Sequence, residues 1–190
     1  RRFIDGLADT VSNHTLEQVL YRNFQALGVP AYTAEELDFA GRLSGTYAPG
    51  PAAPGIGSRY DAGYAAQAET LRREAGGAMN RFLLPLYEGD AFQPGSTDVG
   101  DVSWLCPTAQ IHVAAWPNGS PGHSWQNVSC GRTAIGHKAA LHAGKVLAAA
   151  AIDLLGDASL LRQAREEFLR RTASGYVCPI PPDAVPTIAD

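Results

Sequence analysis

The sequence predicts an α/β sandwich, because amphipathic helical patterns at both ends bracket a centre made of a glycine-punctuated turn, a short alternating run and a sharply bending loop. Its 190 residues, 45% hydrophobic and 18% charged, are enough for one domain with a real core. No internal repeat is apparent.

Asn13 is a candidate N-cap for a helix through Leu27: Leu16, Val19, Leu20, Phe24 and Leu27 recur at three- and four-residue spacing, and Gly28 and Pro30 end the run. Thr33-Ala34-Glu35-Glu36 reads as a capping box before a second helix that carries Leu37, Phe39, Ala40 and Leu43. Residues 45–63 shift to Gly, Pro, Ala and Ser and read as a long surface loop or insertion. From about Tyr64 to Ala75 the composition favours helix, and Phe82 to Leu86 is a short buried run. A polar turn from Gly95 to Trp104 leads to Thr108–Trp116, which alternates like a strand, with Ile111, Val113 and Ala115 on one face. The loop from Pro117 to Arg132 contains Asn118-Gly119 and Pro121-Gly122 and must bend repeatedly. An Ala-rich helix follows from about Thr133 to Leu155, closed by Gly156, and Asp157 caps a last helix with Leu160, Leu161, Ala164, Phe168 and Leu169 apolar. The prolines of residues 175–190 predict an extended tail over the surface.

A formal charge of -4 and a pI near 5.7 give no electrostatic reason to expect nucleic acid or an anionic membrane surface as a partner. Three cysteines, Cys106, Cys130 and Cys178, without CxxC spacing, support neither a disulfide framework nor a zinc knuckle and fit a reducing cytoplasm. The longest apolar stretch, Val146 to Ile152, is too short to span a bilayer. The chain opens on Arg1, and an amphipathic pattern begins almost at once, as in a sequence entered partway.

His123 is the first chemical candidate, since an imidazole in a Gly-bounded loop after a strand can turn a ring nitrogen into a crevice. The bland alternative is a solvated loop histidine. Asp98 and Asp101, two carboxylates in a Gly-rich turn, could bind a hard cation, orient a histidine or act in acid-base work, or simply hydrogen-bond their own backbone. His137 and His142 are about 500° apart around a helix and read as surface residues, not as a ligand pair. His14, near a helix start, reads as structural, and Glu166-Glu167, flanked by arginines, as a salt-bridged solvent face. HExxH, GxSxG, GxxxxGK[ST] and GxGxxG are all absent, so no complete catalytic set can be assembled.

Four segments carry a resemblance: Gly95 to Trp104 (GSTDVGDVSW), Gly119 to Gln126 (GSPGHSWQ), Gly136 to Leu147 (GHKAALHAGKVL) and Tyr176 to Asp183 (YVCPIPPD). Together they resemble the aminobenzoyl-glutamate utilisation family, amidohydrolases of the two-metal aminoacylase and metallo-carboxypeptidase superfamily. The resemblance implies a three-layer α/β catalytic domain whose C-terminal portion, residues 1–190 here, follows a lid and dimerisation domain. It implies an amide-cleaving enzyme, splitting an aminobenzoyl-type acyl group from an amino acid such as glutamate. Its cofactors would be two divalent metal ions, zinc or manganese, its substrate a small-molecule amide and its full-length form a homodimer. By the same resemblance His123 is a metal ligand, Thr97, Asp98 and Asp101 border the active site, and the general-base glutamate and the other ligands lie outside this chain. Ser96 stands where the wider superfamily has a second glycine. The alternative is a stand-alone, non-catalytic binding or scaffold domain, because a chain of this length is able to fold alone. If the chain is a portion, apolar faces that normally pack should be exposed.

Overall fold

A computed structural model describes residues 3, 5–48, 62–87 and 95–185. Among them the chain forms seven helices, α1 (His14–Leu27), α2 (Ala34–Ser44), α3 (Ala62–Ala75), α4 (Val99–Ser103), α5 (Trp125–Gly131), α6 (Ala134–Gly156) and α7 (Ala158–Arg171), and no strand. The expected α/β three-layer sandwich is therefore incorrect for the described residues. The alternating run at residues 108–116 is responsible for the error. A strand exists only through a ladder to a neighbour, and here the carbonyl of Ala114 accepts instead from the Tyr32 hydroxyl at 2.9 Å. Residues 49–61, most of the anticipated loop, and 186–190, the end of the tail, lie outside the described residues.

The capping signals were accurate guides to helix starts. Asn13 caps α1, its Oδ1 accepting from Leu16 N at 3.1 Å. Thr33 and Glu36 form both halves of the capping box on α2, and Asp157 accepts from Ser159 N at 2.8 Å to start α7. Two short helices, α4 and α5, arise inside segments that read as turn and loop. Five and seven residues are too few to show an apolar period.

The chain divides into two compact units. The larger comprises residues 19–94 and 111–153. Its core gathers Ala40 of α2, Met79 and Ile135 of α6, with Tyr32, Leu37, Phe39, Ala78 and Ala114 packed around them. Lys138 of α6 reaches across to Glu36 Oε2 at 2.8 Å and to the Ala31 carbonyl at 3.0 Å. That bond, with the Thr33 backbone N–H, holds the Glu36 carboxyl below the usual carboxylate range. Burial, reinforced by Glu36, pushes the Tyr32 phenol up to about 12.

The smaller unit comprises residues 1–18, 95–110 and 154–190. Its organising group is Glu167, which is buried and not on a solvent face as its arginine neighbours suggested. Its carboxylate accepts from His14 N at 2.8 Å, Thr15 N at 2.9 Å and the Thr15 hydroxyl at 2.8 Å, and Arg171 stands 3.4 Å away. An anion at these first N–H groups satisfies donors that a helix leaves unpaired and complements its dipole. Beside it, the buried Asn13 amide donates to the Ala164 carbonyl at 2.8 Å, so α7 is fixed to the start of α1 by a second bond. His14 is structural, as its position suggested, with Nδ1 on Glu17 Oε2 and Nε2 on Arg171, both at 2.6 Å.

α6 has 23 residues and meets the length and composition of a membrane-crossing helix, which the shorter run Val146 to Ile152 does not. Only 17% of its most apolar stretch is buried. Length and composition alone are weak evidence, and its buried side, Ile135, Ala139, Val146 and Ala150, is packed inside the protein.

Burial alone would raise the carboxyl of Glu167, but the backbone and hydroxyl hydrogen bonds from Thr15 and His14 outweigh it and hold the group below its ordinary range. A depressed value makes its stabilisation complete above the unfolded glutamate value of about 4.3 and lost as the pH falls through the native one. Glu167→Gln should cost about 1–3 kcal/mol at pH 7. It should also flatten the decline in stability below about pH 4.3. Urea unfolding at pH 7 and pH 3.5 measures both effects.

Candidate functional site

The turn that carries Thr97, Asp98 and Asp101 belongs to the smaller unit. Thr97 Oγ1 accepts from Val99 N at 3.3 Å and the Thr97 carbonyl from Gly100 N at 3.2 Å, which winds the chain into α4. Asp98 occupies the N-cap position in helical geometry (φ -64°, ψ -14°), and its side chain makes no capping bond. Its carboxylate is left exposed. Asp101 is engaged differently: Oδ1 accepts from the Tyr176 hydroxyl at 2.7 Å and Oδ2 from Ala8 N at 3.4 Å. The hydrogen bond to Asp101, then burial and the neighbouring Cys178 thiol, keep the Tyr176 phenol well above its usual range.

Three further contacts hold this turn in a clamp. The Trp104 ring lies 6.3 Å from that of Tyr176, and its Nε1 donates to the Asp9 carbonyl at 2.9 Å. The buried Ser103 hydroxyl donates to the Gly100 carbonyl at 2.5 Å and accepts from Val11 N at 2.8 Å. Gly100 itself passes so close to the N-terminal segment that an added Cβ would collide with the Ala8 carbonyl oxygen. Two of the four resembling segments, the turn and the tail, are thus joined through Asp101 and Tyr176. Of the two aspartates in the turn, Asp98 keeps an exposed carboxylate while Asp101 is committed to holding the turn.

His123 belongs to the larger unit. It is the one non-glycine residue with positive φ (52°) among those described, and it is exposed. An L-residue adopts this conformation at a cost of roughly 1–2 kcal/mol, so its surroundings must hold it there. They do so with polar bonds on both sides. Ser124 caps α5, its hydroxyl accepting from Asn127 N at 3.4 Å and donating to the Pro121 carbonyl at 2.6 Å. The Ser120 hydroxyl donates to Asn127 Oδ1 at 2.6 Å, and the buried Gln126 amide donates to the Thr46 hydroxyl at 3.3 Å. Upstream, Asn118 N donates to the Ala78 carbonyl at 2.7 Å, and the Asn118 carbonyl accepts from Tyr47 at 3.2 Å. Exposed Trp125 stands two residues away.

The remaining histidines are dispersed. His112 and His137 are exposed. His142 is not a surface residue as expected: it packs 5.2 Å from the Phe24 ring, and its Nε2 is buried without a partner. Among the described residues no three His, Cys, Asp or Glu side chains are grouped to hold a metal ion. A zinc site needs three or four protein donors. One exposed imidazole on a strained turn falls short of that number, so the described donors do not fit a metal held by this chain alone. All three cysteines are free, Cys130 buried, Cys106 and Cys178 exposed.

Across 187 residues, 98% of its length, the chain is 33% identical to a p-aminobenzoyl-glutamate hydrolase subunit of Escherichia coli (strain K12). The chain is similar to a part of that subunit. It spans 39% of the length of this relative, in keeping with the C-terminal portion that the four segments resemble. No family model matches the chain, and no solved structure does. The hydrolase relationship expected from those segments is supported by this likeness to a hydrolase subunit.

The clamp and the strained turn make opposite predictions. Gly100→Ala should destabilise the smaller unit by about 2–3 kcal/mol through backbone overpacking. His123→Gly should instead be neutral or stabilising by up to about 1 kcal/mol, because relief of the positive φ offsets the added freedom of the unfolded chain. Denaturant unfolding of each variant beside the parent checks both.

Proposed function

We propose that this chain is one part of a metal-dependent N-acyl amino acid amidohydrolase that cleaves an aminobenzoyl-type amide of an amino acid such as glutamate. The observation that carries the reading is the 33% identity extending over 98% of the chain to a relative whose name states that substrate. In this reading His123 supplies one ligand to a pair of divalent metal ions, zinc or manganese, and the other ligands and the general-base glutamate come from outside these residues. The strain at His123 supports a role in function, since a solvated loop histidine has no use for a backbone held at φ 52°. Thr97 and the exposed carboxylate of Asp98 would border the substrate, while Asp101 would act at one remove by keeping their turn in place. When bound, such metals polarise a carbonyl and lower the pKa of a coordinated water.

The relative is by name a subunit. Assembly into a homodimer, a small-molecule amide as substrate and a cytoplasmic location are part of the same proposal. A second reading, a non-catalytic binding or scaffold domain, is favoured by one observation: the carboxylates of Asp101 and Glu167 are taken up by structural hydrogen bonds.

Release of glutamate from aminobenzoyl-glutamate separates the two. The isolated 190-residue chain should release none and bind no stoichiometric zinc or manganese by elemental analysis. A longer polypeptide carrying it should be active, and His123→Ala there should lower kcat/KM by at least about a hundredfold. Turnover with tight metal binding by the isolated chain would overturn the division of the site, and a longer polypeptide without activity would favour the scaffold.

A further inference from the structure

On α6, Leu141, Leu147 and Ile152 are 64%, 50% and 69% exposed. Gly144, Ala148 and Ala151 between them are exposed as well. At 100° per residue these six fall within roughly 140° of arc and extend for about 16 Å along the axis. No charged residue falls within that arc; Lys145 stands just outside it. The result is an apolar strip, bulky at its margins and small along its middle, of a kind that a folded protein seldom leaves in water.

The opposite side of the helix determines which occupant fits. It is tied into its own unit by the Lys138 bond to Glu36, by Ile135 in the core and by His142 against Phe24. A helix anchored along one side by an ion pair and core packing is not placed to enter a bilayer, so the strip calls for a protein surface. The chain spans 39% of its relative's length, so most of that relative's residues have no counterpart here.

We infer that the strip on α6 is the seat of an uncharged, apolar protein surface carried by that further part of the hydrolase. The small middle of the strip admits bulky apolar side chains, and its margins close around them. The inference rests on the reading of this chain as a portion of a larger enzyme, but it is tested without activity.

Leu147→Lys and Leu147→Met are to be made both in the 190-residue chain and in the longer polypeptide encoded around it. In the isolated chain Leu147→Lys should leave the Tm unchanged and reduce binding of an apolar-surface dye. In the longer polypeptide the same change should lower the Tm by about 5 °C or more, while Leu147→Met retains it. Dimerisation of the isolated chain that Leu147→Lys abolishes would assign the strip to a second copy and overturn the inference. Flotation with phosphatidylcholine vesicles, lost in the same variant, would assign it to lipid. A longer polypeptide indifferent to Leu147→Lys, or a reading frame with no more than these residues, would also overturn it. If the Tm responds as expected and no glutamate is released, the amidohydrolase reading fails and the seat on α6 stands.

Discussion

A carboxylate taken out of water must find donors, and Glu167 finds them at the first turn of α1. Much of the smaller unit follows from that requirement. The bond fixes α7 beside the start of α1, and Asn13 adds its amide to the Ala164 carbonyl while capping the same helix. Arg171 reaches the Ser12 carbonyl at 3.1 Å and His14, so the charge beside Glu167 is itself held. Asn13 N meanwhile donates to the Thr108 carbonyl at 3.2 Å, which brings in the segment that continues from α4. Three stretches of chain far apart in sequence are thus joined through polar groups at one helix start.

This interaction also shows what sequence can and cannot convey. The caps were legible because an N-cap is a local event: Asn13, Thr33 and Asp157 each act on a backbone N–H within three residues. Glu167 was misread because its partners, His14 and Thr15, are some 150 residues away, whereas Arg165, Arg170 and Arg171 stand close to it in sequence. The strand expected at residues 108–116 failed for a related reason. Alternation identifies a residue pattern, whereas a strand needs a second one alongside, and the described residues contain none.

The candidate site was legible in residue type and not in arrangement. His123 and the pair Asp98 and Asp101 stood out by composition and by resemblance, yet nothing local distinguished the two aspartates. The structure separates them, because Tyr176 and Ala8 occupy Asp101 and leave the Asp98 carboxylate exposed. Nor did any residue pattern announce the strain at His123. Gly119 and Gly122 mark a bend, and Gly119 takes a positive φ of 73° as glycine readily does, but a second positive φ falls on His123, which has a side chain to accommodate. The network from Ser120 to Asn127 that imposes it is visible only in three dimensions.

The assembly of the smaller unit from residues 1–18, 95–110 and 154–190 constrains the order in which the chain can acquire its structure. On the ribosome the segment around Ala8 emerges before the rest of its unit, yet the groups that secure it, Asp101 and then Glu167 and Tyr176, are synthesised long afterwards. The larger unit, whose last segment ends at residue 153, has all its residues before α7 exists. Closing the loop between the start of α1 and α7 carries an entropic cost, and the bonds of His14 and Thr15 to Glu167 and of Asn13 to Ala164 can offset it only once α7 is present. The first turn of α1 therefore waits through the synthesis of residues 111–153 without Glu167, although Asp101, Ser103 and Trp104 already exist to meet the segment around Ala8. A chain halted before α7 would retain that turn unsecured, open to chaperones and proteases.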